Sequence, residues 1–386
     1  MTRRGANEGT IRERKDGRWE ARVVLTRPDG RRTRRSLLGR TRAEVRDKLQ
    51  AALRAEAAGL PSVGERLTVG SFLATWLHDA VRATVRPKTY ESYASIVRIH
   101  LQPGIGRFPL ARLTPQQVQA FLNAEAASGL APRTVAYIRA VLRQALRQAE
   151  RWGMVSRNVA RLVEPPRVPR REVRPFSPDQ ARQFVDAIQG DRLEALYLVA
   201  LGLGLRQGEI LGLAWDDIDL VAGTLTVRHA LQRVNGKLEL VEPKSTTSHR
   251  VVALPAFVAE GLRAHRTRQR TERLIAGSRW HDDQRGLVFT TSVGTPMDGI
   301  AVTRRFQALL ATAGLPRQRF HDLRHACASL LLAQGVAPRV VMETLGHSQI
   351  SLTLNTYSHV IPALGRAAAE QMDLVLGPHS VDVATG

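Results

Sequence analysis

The sequence predicts a multidomain, mainly α-helical protein. A small module of three strands and a helix comes first, then a helical bundle, then an α+β domain in the C-terminal half. Three observations predict this order. Between Gly9 and Arg40, apolar and polar residues alternate with period two, and turn-forming triplets separate the runs. From residue 69 onward, apolar residues recur at helical spacing in segments that open with Ser or Thr followed by Pro. Helical spacing lapses between Gly223 and Pro255, where strand-like runs flank an Asn-Gly pair.

Residues 1–60 form the first module. Trp19, Ala21, Val23 and Leu25 alternate with Glu20, Arg22 and Val24, the pattern of a half-buried strand, and Lys15-Asp16-Gly17 and Pro28-Asp29-Gly30 supply the turns. A helix from about Thr41 to Ala58 carries Val45, Leu49 and Leu53 on one side. Arg31, Arg32, Arg34 and Arg35 crowd the second turn and third strand. A three-stranded sheet backed by a helix can lay its free face in a major groove, with these arginines and Arg22 reaching phosphates and base edges. A solvated basic hairpin with no site preference has the same pattern.

Residues 61–68 are a linker, and 69–163 are helical. Phe72, Trp76 and Leu77 mark one apolar stripe; Tyr90, Tyr93, Val97 and Leu101, after Pro87, mark another. Thr114-Pro115-Gln116-Gln117 places an N-cap, a first-turn proline and a capping-box glutamine in sequence. The last long helix of this segment, Ala131 to Trp152, turns Val135, Ile138, Val141, Leu142 and Leu146 inward and leaves its arginines largely elsewhere. Residues 164–175, rich in proline and arginine, read as an extended, positively charged interdomain strap.

The C-terminal domain, 176–386, opens on Ser177-Pro178-Asp179-Gln180, the same capping arrangement. Helices run through Leu213; a three-stranded sheet then occupies Gly223 to Pro255, with Asn235-Gly236 in its first turn and Lys244 in its second. Helices follow from Pro255, broken near Gly277 to Asp283, and a strand at Leu287 to Phe289 precedes a helix from about Gly299. Pro362 to Leu376 closes the chain as a short helix with Ala363, Leu364, Ala367 and Leu374 along it.

Charge narrows the function class. With 57 Lys and Arg against 35 Asp and Glu, the formal charge is +22, which predicts a polyanionic partner. A single cysteine excludes an internal disulfide and a zinc knuckle. No stretch approaches the roughly 18–20 apolar residues of a membrane span, and the first ten residues have no apolar core of a signal peptide. The expected location is the cytoplasm, in association with the nucleoid, with no membrane partner.

Two stretches concentrate polar side chains able to act on a phosphate. In FHDLRHACASLL, helical spacing puts His321, Arg324, His325 and Ala328 on one narrow face, with Leu323, Ala326, Cys327, Leu330 and Leu331 opposite. Gly346 ends the next helix just before His347, and Tyr357 follows among Asn355, Thr356 and Ser358. Upstream, in GLGLRQGEILGL, Arg206 and Glu209 stand three apart after an apolar run, a spacing at which the carboxylate can hold the guanidinium or a neighbouring loop. His321 and His325 have the spacing of a zinc-protease pair, but Asp322 stands where the glutamate would be, so no metal is expected.

The ordered set Arg206, Lys244, His321-x-x-Arg324, His347 and Tyr357, in the settings LRQGEILGL, PKSTTSHR, HDLRH and LGHSQISLT, resembles the tyrosine recombinases, the phage-integrase family, over about 175–360. The resemblance implies that 176–386 is a tyrosine-recombinase catalytic domain with a C-terminal tail helix. The bundle at 69–163 becomes a core-binding, SAM-like domain and the first module an arm-type DNA-binding domain. DNA contacts are then expected from Arg22, Arg31, Arg32, Arg34 and Arg35, and from Arg86, Lys88, Arg133 and Arg139. It implies double-stranded attachment-site DNA as substrate and a homo-tetramer joined through the C-terminal segment. An excision factor and a DNA-bending host protein are the further partners such systems use.

The implied chemistry suits these residue types. Attack on a phosphodiester gathers negative charge on equatorial oxygens, and guanidinium forks and imidazole donors stabilise it without a metal. By the resemblance, Tyr357 attacks to give a 3′-phosphotyrosyl bond, Lys244 protonates the expelled 5′-oxygen, and Glu209 supports Arg206. No cofactor is expected. A resolvase or invertase, a type IB topoisomerase and a non-catalytic DNA-binding regulator remain the alternatives; the arm-like module favours an integrase over the first two.

Overall fold

The computed structural model describes residues 10–26, 32–57, 67–169, 174–242, 249–281 and 286–346, with 372, 375 and 376 besides. The Pro28-Asp29-Gly30 turn, Lys244, His347, Tyr357 and nearly all of the C-terminal helix lie outside the described residues. The chain divides into two compact units, 1–170 and 171–386, and the division falls within the Pro/Arg-rich stretch.

The first unit contains two separate apolar cores. In the N-terminal one, β1 (Thr10–Glu13), β2 (Trp19–Thr26) and β3 (Arg32–Gly39) form an antiparallel meander in which Ile11 faces Ala21 and Val24 faces Arg34. Helix α1 (Arg42–Ala57) covers one face, burying Ala21 and Val23 against Val45 and Leu49. Glu20 departs from simple alternation. It lies on the face away from α1 yet is only 2% exposed, because Arg12 closes over it with two bonds of 2.7 and 2.9 Å and Arg14 and Arg22 flank it.

In the second core, α2 (Val69–Thr75) runs into a π-helical turn at Trp76–Val81, and α3 (Pro87–Ile96) continues through another at Val97–Leu101 into α4 (Gln102–Ile105). Helices α5 (Pro115–Ala127) and α6 (Pro132–Arg151) complete the bundle. The capping box forms as the sequence predicts: Thr114 Oγ1 accepts from the Gln117 amide, and the Gln117 side chain accepts from that of Thr114. Val135, Ile138, Val141, Leu142 and Leu146 are all buried against α2 to α5 residues. Neither π turn is legible in the sequence.

The second unit is built around α8 (Glu194–Leu203), a helix apolar all round and therefore buried all round. It follows α7 (Pro178–Ala187), capped by Ser177 and Gln180 as predicted, and precedes the short α9 (Gln207–Leu211). Strands β4 (Ile218–Asp219), β5 (Thr224–Val227), β6 (Ala230–Val234), β7 (Lys237–Val241) and β8 (Arg250–Ala253) come next. The expected single three-stranded sheet is instead two sheets, β4-β5-β8 and the hairpin β6-β7. The physical reason lies in α9: Gly208 and Gly212 have no Cβ, so the β6 backbone at Ala230 and Leu231 packs directly onto the helix, off the line of β5. Asn235 and Gly236, at φ 48° and 78°, make the tight turn of that hairpin.

Helices α10 (Ala256–Ala276), α11 (Gly299–Thr312), α12 (Asp322–Ala333) and α13 (Pro338–Leu345) complete the unit. Leu287 forms an isolated bridge to Ala214 rather than a strand. Phe184, Tyr197, Phe306 and Phe320 cluster at ring-centroid separations of 5.6 to 6.4 Å around α8, which fixes where α12 begins. A smaller core of Cys327, Ala328, Leu332, Val341 and Leu345 joins α12 to α13. Among the described residues no helix is long and apolar enough to cross a membrane.

Candidate active site

The site is built on the turn that leaves α8. Gly204 stops the helix in the left-handed region, φ 61°. A Cβ there would come within 2.4 Å of Leu345 and 3.3 Å of Cys327, so glycine is also what lets the turn close on α12 and α13. Arg206 is then the N-cap of α9. Its backbone N–H donates to Glu209 Oε2 at 3.1 Å, and its Nη1 donates to Glu209 Oε1 at 2.6 Å. Nη2 donates to the carbonyl of Gly346 at 3.1 Å, on the residue that precedes His347. The Arg206 side chain is 40% exposed and Glu209 is 4% exposed, so the arginine faces solvent on a buried carboxylate.

A second arginine shares that carboxylate. Arg250, at the start of β8, donates Nη2 to Glu209 Oε2 at 3.0 Å and Nε to the Thr344 carbonyl at 2.9 Å. Burial works to raise the Glu209 pKa, but Arg250 first and Arg206 second outweigh it, and the carboxyl sits below its usual range. Gly346, left-handed at φ 68°, lies against the Arg250 guanidinium: a Cβ there would be 2.9 Å from Nη1.

The second stretch meets the same turn. Arg324 is buried, and its Nη1 donates to the Gly204 carbonyl at 2.8 Å. Cys327 lies one helical turn on, its thiol toward the Gly202 carbonyl at 3.6 Å. The narrow polar face expected on α12 is thus not an open one: Arg324 and Ala328 are buried, while Leu330 and Leu331 are only half-buried. Packing against the α8–α9 turn on one side and α13 on the other covers both faces.

His321 precedes α12, with its ring edge-on to that of His325 at 5.3 Å between centroids. Desolvation, then the positive neighbours His325, Arg324 and Arg319, depress His321 to about 4 against a partial opposing pull from Asp322. Water at its exposed edge screens part of this, but the direction favours a neutral imidazole at neutral pH. Burial lowers His325 likewise. Asp322, buried at the helix start, accepts Arg319 Nη2 at 2.7 Å and the Arg319 amide at 2.8 Å.

The structure therefore brings Arg206, Glu209 and Arg324 onto one turn and His321 to the head of the helix that carries Arg324. Lys244, His347 and Tyr357 lie outside the described residues. In the N-terminal module, Arg22, Arg32 and Arg34 stand exposed on the face away from α1, Arg35 alternates to the helix side and is half-buried, and Arg31 is outside the described residues. On the bundle, Arg86 caps α3 and is exposed, Lys88 is exposed but paired with Glu91 at 2.8 Å, and Arg133 is exposed. Arg139 is half-buried and its Nε has no hydrogen-bond partner among the described residues. Sequence reasoning missed Arg250, although a signal existed: it falls in phase with Val252, on the inward side of its strand. No group of three His, Cys, Asp or Glu able to hold a metal occurs among the described residues.

Comparison with known proteins identifies the family. The sequence pattern of the phage integrase family matches residues 174–363, and that of the phage integrase N-terminal SAM-like domain matches 68–125. A tyrosine recombinase XerC-like protein of Caldanaerobacter subterraneus is 32% identical over 93% of this chain and 97% of its own. The chain belongs to the phage integrase family. It is a tyrosine-type site-specific DNA recombinase, an enzyme that exchanges DNA strands. An integrase of Saccharopolyspora erythraea is 29% identical over 96% of this recombinase and 97% of its own length. In fold, the recombinase is similar to the Tn1549 transposon integrase bound to circular intermediate DNA, with TM-score 0.67 and 22% identity over 79% of this chain and 99% of that one. It is also similar to the lambda integrase tetramer on a Holliday junction, with TM-score 0.56 and 20% identity over 92% and 96%.

Proposed function

We propose that this recombinase joins the attachment site of a phage or other mobile element to a chromosomal site, and separates them again. The Tyr357 phenol oxygen attacks the scissile phosphorus. As its bond to phosphorus forms, the bond to the 5′-oxygen breaks, Tyr357 loses its proton and Lys244 supplies one to the departing oxygen. Arg206 and Arg324 stabilise the equatorial oxygens. His321, beside the same oxygens, contributes a hydrogen-bond donor, and His347 adds another. The 5′-hydroxyl of the partner strand then attacks the phosphorus of the 3′-phosphotyrosyl bond; as the new P–O5′ bond forms, the bond to the Tyr357 oxygen breaks, the hydroxyl loses its proton and Tyr357 regains one, so the ester bond conserves the energy and neither ATP nor a metal enters.

The observation that carries this is the tie of both arginine segments to one turn. Arg324 holds the Gly204 carbonyl while Arg206, two residues on, holds Glu209 and the carbonyl before His347. The substrate is double-stranded DNA gripped by two further modules, 1–60 on arm sites and 69–163 on core sites. Their boundaries are supported by the separate apolar cores of the first unit. Likeness to the lambda integrase tetramer supports assembly of four copies on DNA, joined through the C-terminal segment. An excision factor and a DNA-bending host protein complete the system, which works in the cytoplasm on the nucleoid.

A nicked suicide duplex tests the chemistry. The full chain is expected to form a denaturant-resistant protein–DNA adduct that Tyr357→Phe abolishes while binding persists; an adduct that survives in Tyr357→Phe refutes the assignment. Truncation after Val360 is expected to reduce synapsis more than binding, and equal losses would reject the tail-mediated tetramer.

A further inference from the structure

We infer that Arg250 is a positioning residue of the active site, whose guanidinium holds one oxygen of Glu209 away from the Arg206 guanidinium and clamps the end of the helix before His347. This rests on the active site proposed above. Arg250 is 8% exposed at its side chain, so it does not reach DNA itself; whatever it does for the phosphate it does through its neighbours.

Those neighbours define the action. A carboxylate beside a lone arginine tends to be gripped by two parallel N–H···O bonds, which turn the whole fork toward that carboxylate. Here the side-chain contact of Arg206 with Glu209 is single, Nη1 to Oε1. Oε2 is taken by Arg250 Nη2, together with the Arg206 amide. Arg206 is thereby pinned at one nitrogen and oriented by the Gly346 carbonyl at the other. Two guanidiniums around one carboxylate also leave the cluster with a net charge of +1, which a scissile phosphate would balance.

Arg250 also links three chain segments that carry proposed catalytic groups. Through Glu209 it reaches the Arg206 turn. Through its Nε bond to the Thr344 carbonyl it fixes the C-terminus of α13, two residues short of Gly346 and three short of His347. In sequence, its own strand begins just after residues 243–248, which include Lys244 and lie outside the described residues. The absence of a side chain at Gly346 is what leaves room for the guanidinium.

The test compares Arg250→Met and Arg250→Lys with Arg206→Ala in the full chain. Single-turnover cleavage of a suicide duplex is measured at saturating DNA, alongside the Kd for the same duplex. Each rate is taken relative to wild type on two substrates: the ordinary phosphate, and a methylphosphonate at the scissile position, which has one charged oxygen fewer and asks less of the guanidiniums. On the phosphate, Arg250→Met is expected to lose about 10²-fold in rate and Arg250→Lys about tenfold, with Kd within about threefold of wild type. On the methylphosphonate both deficits shrink, in parallel with that of Arg206→Ala. Rates within about threefold of wild type on the phosphate, or equal deficits on both substrates, overturn the inference; equal deficits are what a purely structural role gives. If Arg250→Met does not fold, Arg250→Lys decides by the same two criteria. Arg206→Ala cleaving like wild type would instead refute the active-site reading beneath it.

Discussion

Replacing Gly346 by alanine is a measured push on the cluster around Glu209. Two effects separate. At φ 68° an L-residue is strained by about 1–2 kcal/mol. The added Cβ would also lie 2.9 Å from Arg250 Nη1, where ordinary contact begins at 3.4 Å, so the guanidinium must retreat by about 0.5 Å. Its bonds to Glu209 and Thr344, now 3.0 and 2.9 Å, would stretch to about 3.5 Å, the edge of hydrogen bonding. Gly335 provides the matched control. It ends α12 in the same left-handed conformation, φ 78°, but a Cβ there meets nothing within 4 Å. Gly335→Ala and Gly346→Ala are therefore expected to share the backbone strain, and only the second to lose cleavage, by about tenfold or more given the steepness of phosphate stabilisation with donor position. Thermal unfolding of both proteins and suicide-substrate cleavage at saturating DNA measure the two effects. Equal cleavage by the two variants would refute the idea that this contact tunes the site.

Other expectations concern single groups. Glu20→Gln should release Arg12 and Arg22 from a carboxyl that Ser36 first, and Arg12 next, hold down to about 2. Non-specific DNA binding should then strengthen, with log Kd against log salt steeper by about 0.9 for each further phosphate that a released arginine neutralises; a fluorescence-anisotropy salt series with unchanged slope would count against this. His321 has a folded pKa depressed from 6.5 to about 4, so its contribution to stability is present above pH 6.5 and is lost as pH falls toward 4. The thermal midpoint of wild type should fall relative to that of His321→Gln across that window, and parallel curves would contradict the shift. Cys327, buried with its thiol pushed up to about 12, should resist iodoacetamide in the native protein and react once urea unfolds it.

Periodicity conveyed which side of each element faces inward, and turn and capping chemistry conveyed where elements stop. The Thr114 and Ser177 caps, the inward stripe of α6 and the Asn235-Gly236 turn all follow from local rules that act within four residues. The misplaced strand pairing around β6 has the opposite origin. Which strand lies beside β5 depends on Gly208 and Gly212 admitting another backbone, a contact across the domain that no local pattern encodes.

Charge was harder to read than apolarity for the same reason. A buried leucine needs only a face, whereas a buried arginine or glutamate needs a named partner, and at this site the partners come from distant segments. Glu209 and Arg206 are three residues apart and so were visible as a pair; Arg250 and the Gly346 carbonyl, which decide how that pair is used, were not. Glu20 repeats the point at the N-terminus, where alternation assigns it to the solvent face and the arginine of the neighbouring strand buries it there. In both clusters an acid sits beneath arginines and fixes their direction, so basic residues proposed to meet DNA are held in place by the protein itself. Removing the acid therefore makes two opposite predictions: more charge for the backbone of any duplex, and less order in the side chains that must meet one particular phosphate.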